Sequence, residues 1–247
     1  MSRKKLITIG CSFTRDILSF SHVSRGVFEN SSRGVFKPGY DFPVWPTLLA
    51  EKLDMDCLNL GRGGMGNDYI SAKLVDTVLS EKKEDIGLVV LMWSGWQRID
   101  YQDIDGVWEK MVRRGDAWNN ILKYNNAHNA TTKSLRYFLM SQMLLKDIPY
   151  LMIQGTNPLQ NMNEKTAFKL VIAAMVESKI FNEINPDQFI GWPILKQIGG
   201  YTVIDILDKV DPERNQLRVS DQDTHPNGEG HKIMAQEIYN AYEKNYI

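Results

Sequence analysis

The sequence predicts an α/β fold in which a mostly parallel, five-stranded sheet is covered by helices on both faces. Two observations lead there. Short apolar runs rich in β-branched residues recur along the 247 residues, and between them lie longer segments with apolar residues at helical spacing. Right-handed crossovers then bring the strand C-termini to one edge, where ligands of open α/β sheets bind.

The elements follow in order. "LITIG" is the first strand, ended by Gly10. The polar stretch 17–40 holds "SRGVF" twice, at Ser24–Phe28 and Ser32–Phe36, and reads as a long loop or small hairpin turning at Gly26 and Gly34. Two copies are too few for a solenoid. "VWPTLLAEKLDM" is a helix entered near Pro46, with Leu48, Leu49 and Leu53 on one face. "DCLNLG" is the second strand, "GRGGMGND" a loop, and "DYISAKLVDTVLSEKK" a helix. "IGLVVLMW" is the third strand, and its unbroken apolar character puts it centrally, covered on both faces. Residues 94–132 are rich in Trp, Asp and Asn and show no clean period. "TKSLRYFLMSQMLLKD" is an amphipathic helix, "PYLMIQG" a fourth strand, and 164–181 helical. "YTVIDIL" reads as the fifth strand, and "EGHKIMAQEIYNAYEKN" closes the chain as a helix. One domain over 1–247 is expected, with loop insertions at about 17–44 and 99–132.

Composition narrows the function. Hydrophobic residues at 43% and charged residues at 24% are those of an ordinary globular protein. The net charge of −1 provides no electrostatic footprint for nucleic acid or an anionic membrane. The apolar run behind the basic head, Leu6 to Ile9, is too short for a signal-peptide core, and no run is long enough to cross a bilayer. Cys11 and Cys57 are most simply reduced thiols, so a cytoplasmic location is expected. The histidines and cysteines lack zinc-site spacing, so neither metal nor cofactor is expected. Oligomeric state stays open.

Ser12 follows the strand-ending Gly10. It is either a helix N-cap or a nucleophile, and the second role requires a base and oxyanion donors. Among four histidines, His22 and His128 sit in polar segments without a supporting pattern, and His231 falls in the first turns of the last helix, where it packs or caps. His225 lies in "SDQDTHPNGEGH" with Asp221 and Asp223 just before it, and a carboxylate can hold an imidazole in the right tautomer. The glycines of "NLGRGGMGND" suit either phosphate or an oxyanion. The loop follows the second strand and lacks the acidic partner of a dinucleotide site, which favours the oxyanion. Trp93, Trp96, Arg98, Trp108 and Trp118 either meet substrate or pack the insertion onto the sheet.

"GCSFT", "NLGRGG" and "DTHPNGEGH" resemble, in this order, the first, second and last blocks of the SGNH (GDSL-type) hydrolases, over nearly the whole chain. The resemblance implies a flavodoxin-like three-layer α/β/α sandwich and hydrolysis of esters. It places Ser12 at the nucleophile, Gly64 at the oxyanion glycine and His225 at the base. The family's Asp stands three residues before the histidine, where this chain has Gln222; Asp223 or Asp221 takes its role, with Asp223 favoured as the nearer. The third block, normally Gly-x-Asn-Asp, is replaced by "WSGWQR". Ser94 or Gln97 is the expected third donor beside the N–H groups of Ser12 and Gly64. "GTNP" at Gly155–Pro158 imitates that block out of order. Arg62, Trp93 and Gln97 are expected to contact substrate. The implied function is a serine esterase for an acetyl or short acyl ester on a small molecule, carbohydrate or lipid. Acyl transfer on the same site and an inactive binding module are the alternatives.

Overall fold

The computed structural model describes residues 3–15, 42–111, 126–158 and 164–247. The paired "SRGVF" segment, His22 and Trp118 lie outside the described residues. Five parallel strands form the central sheet: β1 (Lys5–Gly10), β2 (Asp56–Asn59), β3 (Ile86–Trp93), β6 (Tyr150–Gln154) and β7 (Phe189–Ile190), in spatial order β2-β1-β3-β6-β7. A separate antiparallel hairpin joins β4 (Asp100–Gln102) to β5 (Trp108–Lys110). The helices are α1 (Trp45–Leu53), α2 (Asn67–Ser80), α3 (Ala127–Leu144), α4 (Glu164–Val176), α5 (Lys179–Glu183), α6 (Val203–Val210) and α7 (Gly228–Tyr246).

The two-residue side-chain period of the strands builds two cores. Ile7, Ile9, Val89, Leu91, Trp93 and Met152 point to one face. They bury Ile70 and Leu74 of α2, Leu135 and Phe138 of α3, and Val171 and Met175 of α4. The alternate residues Leu6, Leu88, Val90, Met92, Leu151 and Ile153 point to the other. They meet Trp45 and Leu49 of α1, Val203 and Leu207 of α6, and Met234 and Ile238 of α7. The result is an α/β/α sandwich. All eight residues of β3 are buried, as a central strand covered on both faces requires.

Two expected elements differ. "YTVIDIL" is not a strand: the fifth strand is the two-residue β7, and α6 begins at Val203. Thr202 and Asp205 form a capping box, the Thr202 N–H donating to Asp205 Oδ2 at 2.8 Å and the Asp205 N–H to Thr202 Oγ1 at 3.4 Å. Val203 and Leu207, four apart, are the buried stripe of α6. The β-branched run hid this capping signal. The helical stretch 164–181 is also divided, because Ser178 is extended between α4 and α5.

The strand order places the switch point between β1 and β3, with Gly10, Asn59, Trp93 and Gln154 ending along one edge. No disulfide joins Cys11 and Cys57. Among the described residues no helix is long and apolar enough to cross a membrane.

Candidate active site

Beyond β1 the chain turns at once: the N–H groups of Thr14 and Arg15 both donate to the Cys11 carbonyl, at 3.0 and 3.1 Å. Only glycine fits at position 10, since a Cβ there would stand 2.2 Å from Thr14 Oγ1. The turn exposes Ser12 at the sheet edge. The neighbouring glycine loop is tied to it through Asn59. The Asn59 amide donates to the Thr14 carbonyl at 2.8 Å, while its Oδ1 accepts from the Gly61 N–H at 2.9 Å. The Arg62 N–H donates to the Gly10 carbonyl at 3.0 Å. Gly64 has φ +82°, a left-handed conformation that favours glycine. Among the described residues no hydrogen bond engages the N–H of Ser12 or of Gly64.

The segment before α7 is locked at both ends. Arg218 and Pro226 form an isolated β-bridge, the Val219 N–H donates to the His225 carbonyl at 3.0 Å, and Ser220 and Asp223 exchange backbone bonds. Asn227 caps α7 by accepting from the Gly230 N–H at 3.1 Å, and its amide donates back to the carbonyls of Gln216 and Arg218. His225 therefore leans from a braced loop. Its Nε2 stands 2.8 Å from Ser12 Oγ and its Nδ1 stands 2.6 Å from Asp223 Oδ1. The Asp223 side chain is 11% exposed and that of His225 37%. The Phe13 ring packs edge-on against the imidazole at 5.3 Å. Asp221 is exposed.

A cleft of about 430 Å³ opens here, lined by Ser12, Phe13, His225, Arg98, Thr156 and Arg218 among others. Several sequence expectations do not survive this geometry. Trp93 is a core side chain, fully buried, with its ring 4.9 Å from that of Phe138. Ser94 is fully buried as well: its Oγ makes no hydrogen bond among the described residues, and its N–H donates to Asn67 Oδ1 at 2.8 Å. Gln97 is buried and does not line the cleft. The apolar strand β3 carries the start of "WSGWQR" into the interior, so Trp93 and Ser94 cannot reach solvent. Arg62 also misses the cleft and reaches Glu109 at 3.8 Å. Asn157 does line it. Trp108 packs on Tyr69, with ring centres 5.7 Å apart.

Three residues emerge that the sequence did not single out. Asp100 of the hairpin caps α2 from outside, its Oδ2 accepting from the N–H groups of Gly66 and Tyr69 at 2.7 and 3.1 Å. Burial pushes its carboxyl up to about 6, against these two donors. Asn67, buried at the first turn of α2, holds the Ser94 backbone. Arg218 is buried under the cleft. Asn67 was legible only as a polar residue directly behind the glycine loop; Asp100 and Arg218 act across long sequence separations and left no local signal. His231 is buried, and its Nδ1 accepts from the Trp45 N–H at 3.1 Å, capping the start of α1. Burial, with a smaller push from His225, drives its pKa down to about 3.

The α/β/α architecture has counterparts among solved structures. A G-D-S-L family lipolytic protein from Veillonella parvula shares it over 98% of this chain and 99% of its own, at 12% identity and a TM-score of 0.50. An acetyl-xylooligosaccharide esterase from Geobacillus is similar over 100% of this chain and 97% of its own, at 14% identity and a TM-score of 0.49. A lipase from a goat rumen metagenome is similar over 96% and 97% respectively, at 13% identity and a TM-score of 0.45. No family model and no curated protein matches the chain.

Proposed function

We propose that this protein is a serine esterase of the SGNH type, cleaving an acetyl or short acyl ester of a small molecule or glycan. The observation that carries the reading is the hydrogen-bonded line Ser12 Oγ, His225 Nε2, His225 Nδ1, Asp223 Oδ1, with contacts of 2.8 and 2.6 Å. A serine hydroxyl becomes a nucleophile when a neutral imidazole takes its proton, and a carboxylate behind the ring stabilises the imidazolium that forms.

In this reading Ser12 Oγ attacks the ester carbonyl while its proton passes to His225 Nε2. The carbonyl oxygen becomes an oxyanion held by the N–H groups of Ser12 and Gly64, which no other hydrogen bond engages among the described residues. The protonated His225 then gives its proton to the leaving alcohol, and the acyl group stays on Ser12. Water, deprotonated by His225, attacks the acyl carbon and releases the acid. The test is hydrolysis of 4-nitrophenyl acetate with labelling by a fluorophosphonate probe. Both should be abolished in Ser12→Ala; an unchanged rate in that variant excludes Ser12 as nucleophile.

A further inference from the structure

We propose that the cleft selects esters bearing an oxyanion substituent, a carboxylate or a phosphate, gripped by Arg98 and Arg218. The inference rests on the esterase reading above and names the substrate class of the same site.

The cleft is cationic within a chain of net charge −1. Among the described residues its lining carries Arg98, Lys196, Arg214 and Arg218 against Asp205 and Asp208. The two carboxylates are fully committed. Asp205 takes Lys196 at 2.7 Å. Asp208 is shared by two arginines, accepting from Arg214 Nε and Nη2 at 3.0 and 2.6 Å and from Arg218 Nη2 at 2.8 Å. Among the described residues two cations of the lining keep guanidinium N–H groups to spare, although Arg218 pairs with Asp208 and also feels Asp211 just outside the lining.

Arg98 is the first. Its side chain makes one hydrogen bond among the described residues, from Nη1 to the neutral Met65 carbonyl at 2.9 Å. The carboxylate whose charge it feels, Asp100, already accepts from two backbone N–H groups. Arg218 is the second. Its side chain is 2% exposed, yet Nη1 has no hydrogen-bond partner among the described residues. A buried guanidinium N–H without an acceptor is costly, and an entering oxyanion would relieve it. Thr156 Oγ1, also on the lining, is a further buried polar atom without a hydrogen-bond partner among the described residues. The planar guanidinium matches carboxylate and phosphate oxygens in pairs. Ser12 and His225 line the same cavity, so an anion held there belongs to the molecule whose ester is attacked.

The test uses matched esters. The alcohol side is read with O-acetyl methyl glucoside, its uronic acid and its 6-phosphate; the acyl side with 4-nitrophenyl butyrate against 4-nitrophenyl hemisuccinate. At least one anionic ester should exceed its neutral partner about tenfold in kcat/KM, chiefly through a lower KM, as one charge-assisted pair allows. That ratio should fall toward one in Arg98→Met and recover in part in Arg98→Lys. Wild-type ratios at or below one for every pair overturn the inference, as does a preference that Arg98→Met leaves intact. Calorimetric binding of the sugar esters to Ser12→Ala separates the two readings. Absent hydrolysis with tighter anion binding sinks the esterase alone, whereas Ser12-dependent hydrolysis with equal binding sinks the anion preference alone.

Discussion

Replacing Asp223 by Asn keeps the size of the side chain and removes the charge beside His225. The Nδ1–Oδ1 contact is 2.6 Å and the carboxylate only 11% exposed, so the pair acts in a partly water-excluded setting. At an effective dielectric constant of about 20, unit charges at this spacing attract by about 6 kcal/mol. Solvent reaches the imidazole, which is 37% exposed, and reduces this to about half. In the proposed mechanism the lost attraction acts on the imidazolium formed as Ser12 attacks. An amide can also bind the ring in the tautomer whose Nε2 already carries a proton, which cannot accept one from Ser12. The expected fall in kcat is about 100- to 10,000-fold, with KM little changed. Steady-state hydrolysis of 4-nitrophenyl acetate reads it, beside Asp221→Asn as the exposed neighbour and circular dichroism as the check on folding. Asp223→Asn within about threefold of wild type, with Asp221→Asn impaired, would refute the assignment.

Two further outcomes concern the scaffold. His231 titrates at about 3 instead of 6.5. Its neutral form is favoured by folding, so the unfolded chain binds the proton first. The stability it provides is present above pH 6.5 and is lost as pH falls toward 3, by about 5 kcal/mol in full. Asp100, raised from 3.8 to about 6, contributes the opposite slope between those values and cancels in a difference between variants. Denaturant unfolding from pH 7 to 4 should therefore show wild type losing stability relative to His231→Gln, whose side-chain oxygen can still accept from the Trp45 N–H; parallel curves would contradict the burial argument. Gly10→Ala forces a Cβ to 2.2 Å from Thr14 Oγ1 and 3.1 Å from Met92 Cβ. It should cost about 1–3 kcal/mol in urea unfolding and lower kcat by displacing Ser12, whereas wild-type activity and stability would show that the turn relaxes freely.

Local chemistry encodes much of the architecture. β3 is an unbroken apolar run because it is buried on both faces, and α3 and α7 carry apolar periods too long to be strands. Asn227, Gly10 before Ser12 and the glycines following Asn59 mark turns that a short window of sequence can hold. The errors lie where a signal was too short or was overruled. β7 has two residues, too few for any period, and the β-branched run of α6 was decided by the single cap at Thr202.

The sequence by itself determined the α/β alternation and the strand-end positions of Ser12, Gly64 and, before the last helix, His225, because these follow from hydrophobic period and turn chemistry within a few residues. Tertiary structure alone decided which side chains meet. His225 reaches Ser12 across 213 positions, and Asp223, not Asp221, turns its carboxylate to the ring. Packing also took Trp93 and Ser94 into the core, and it left Arg98 and the buried Arg218 on the cleft with more positive charge than Asp205 and Asp208 can neutralise. The reason is physical: burial and pairing depend on which distant elements stack on the sheet, and no local pattern encodes the distance between two loops joined only through it.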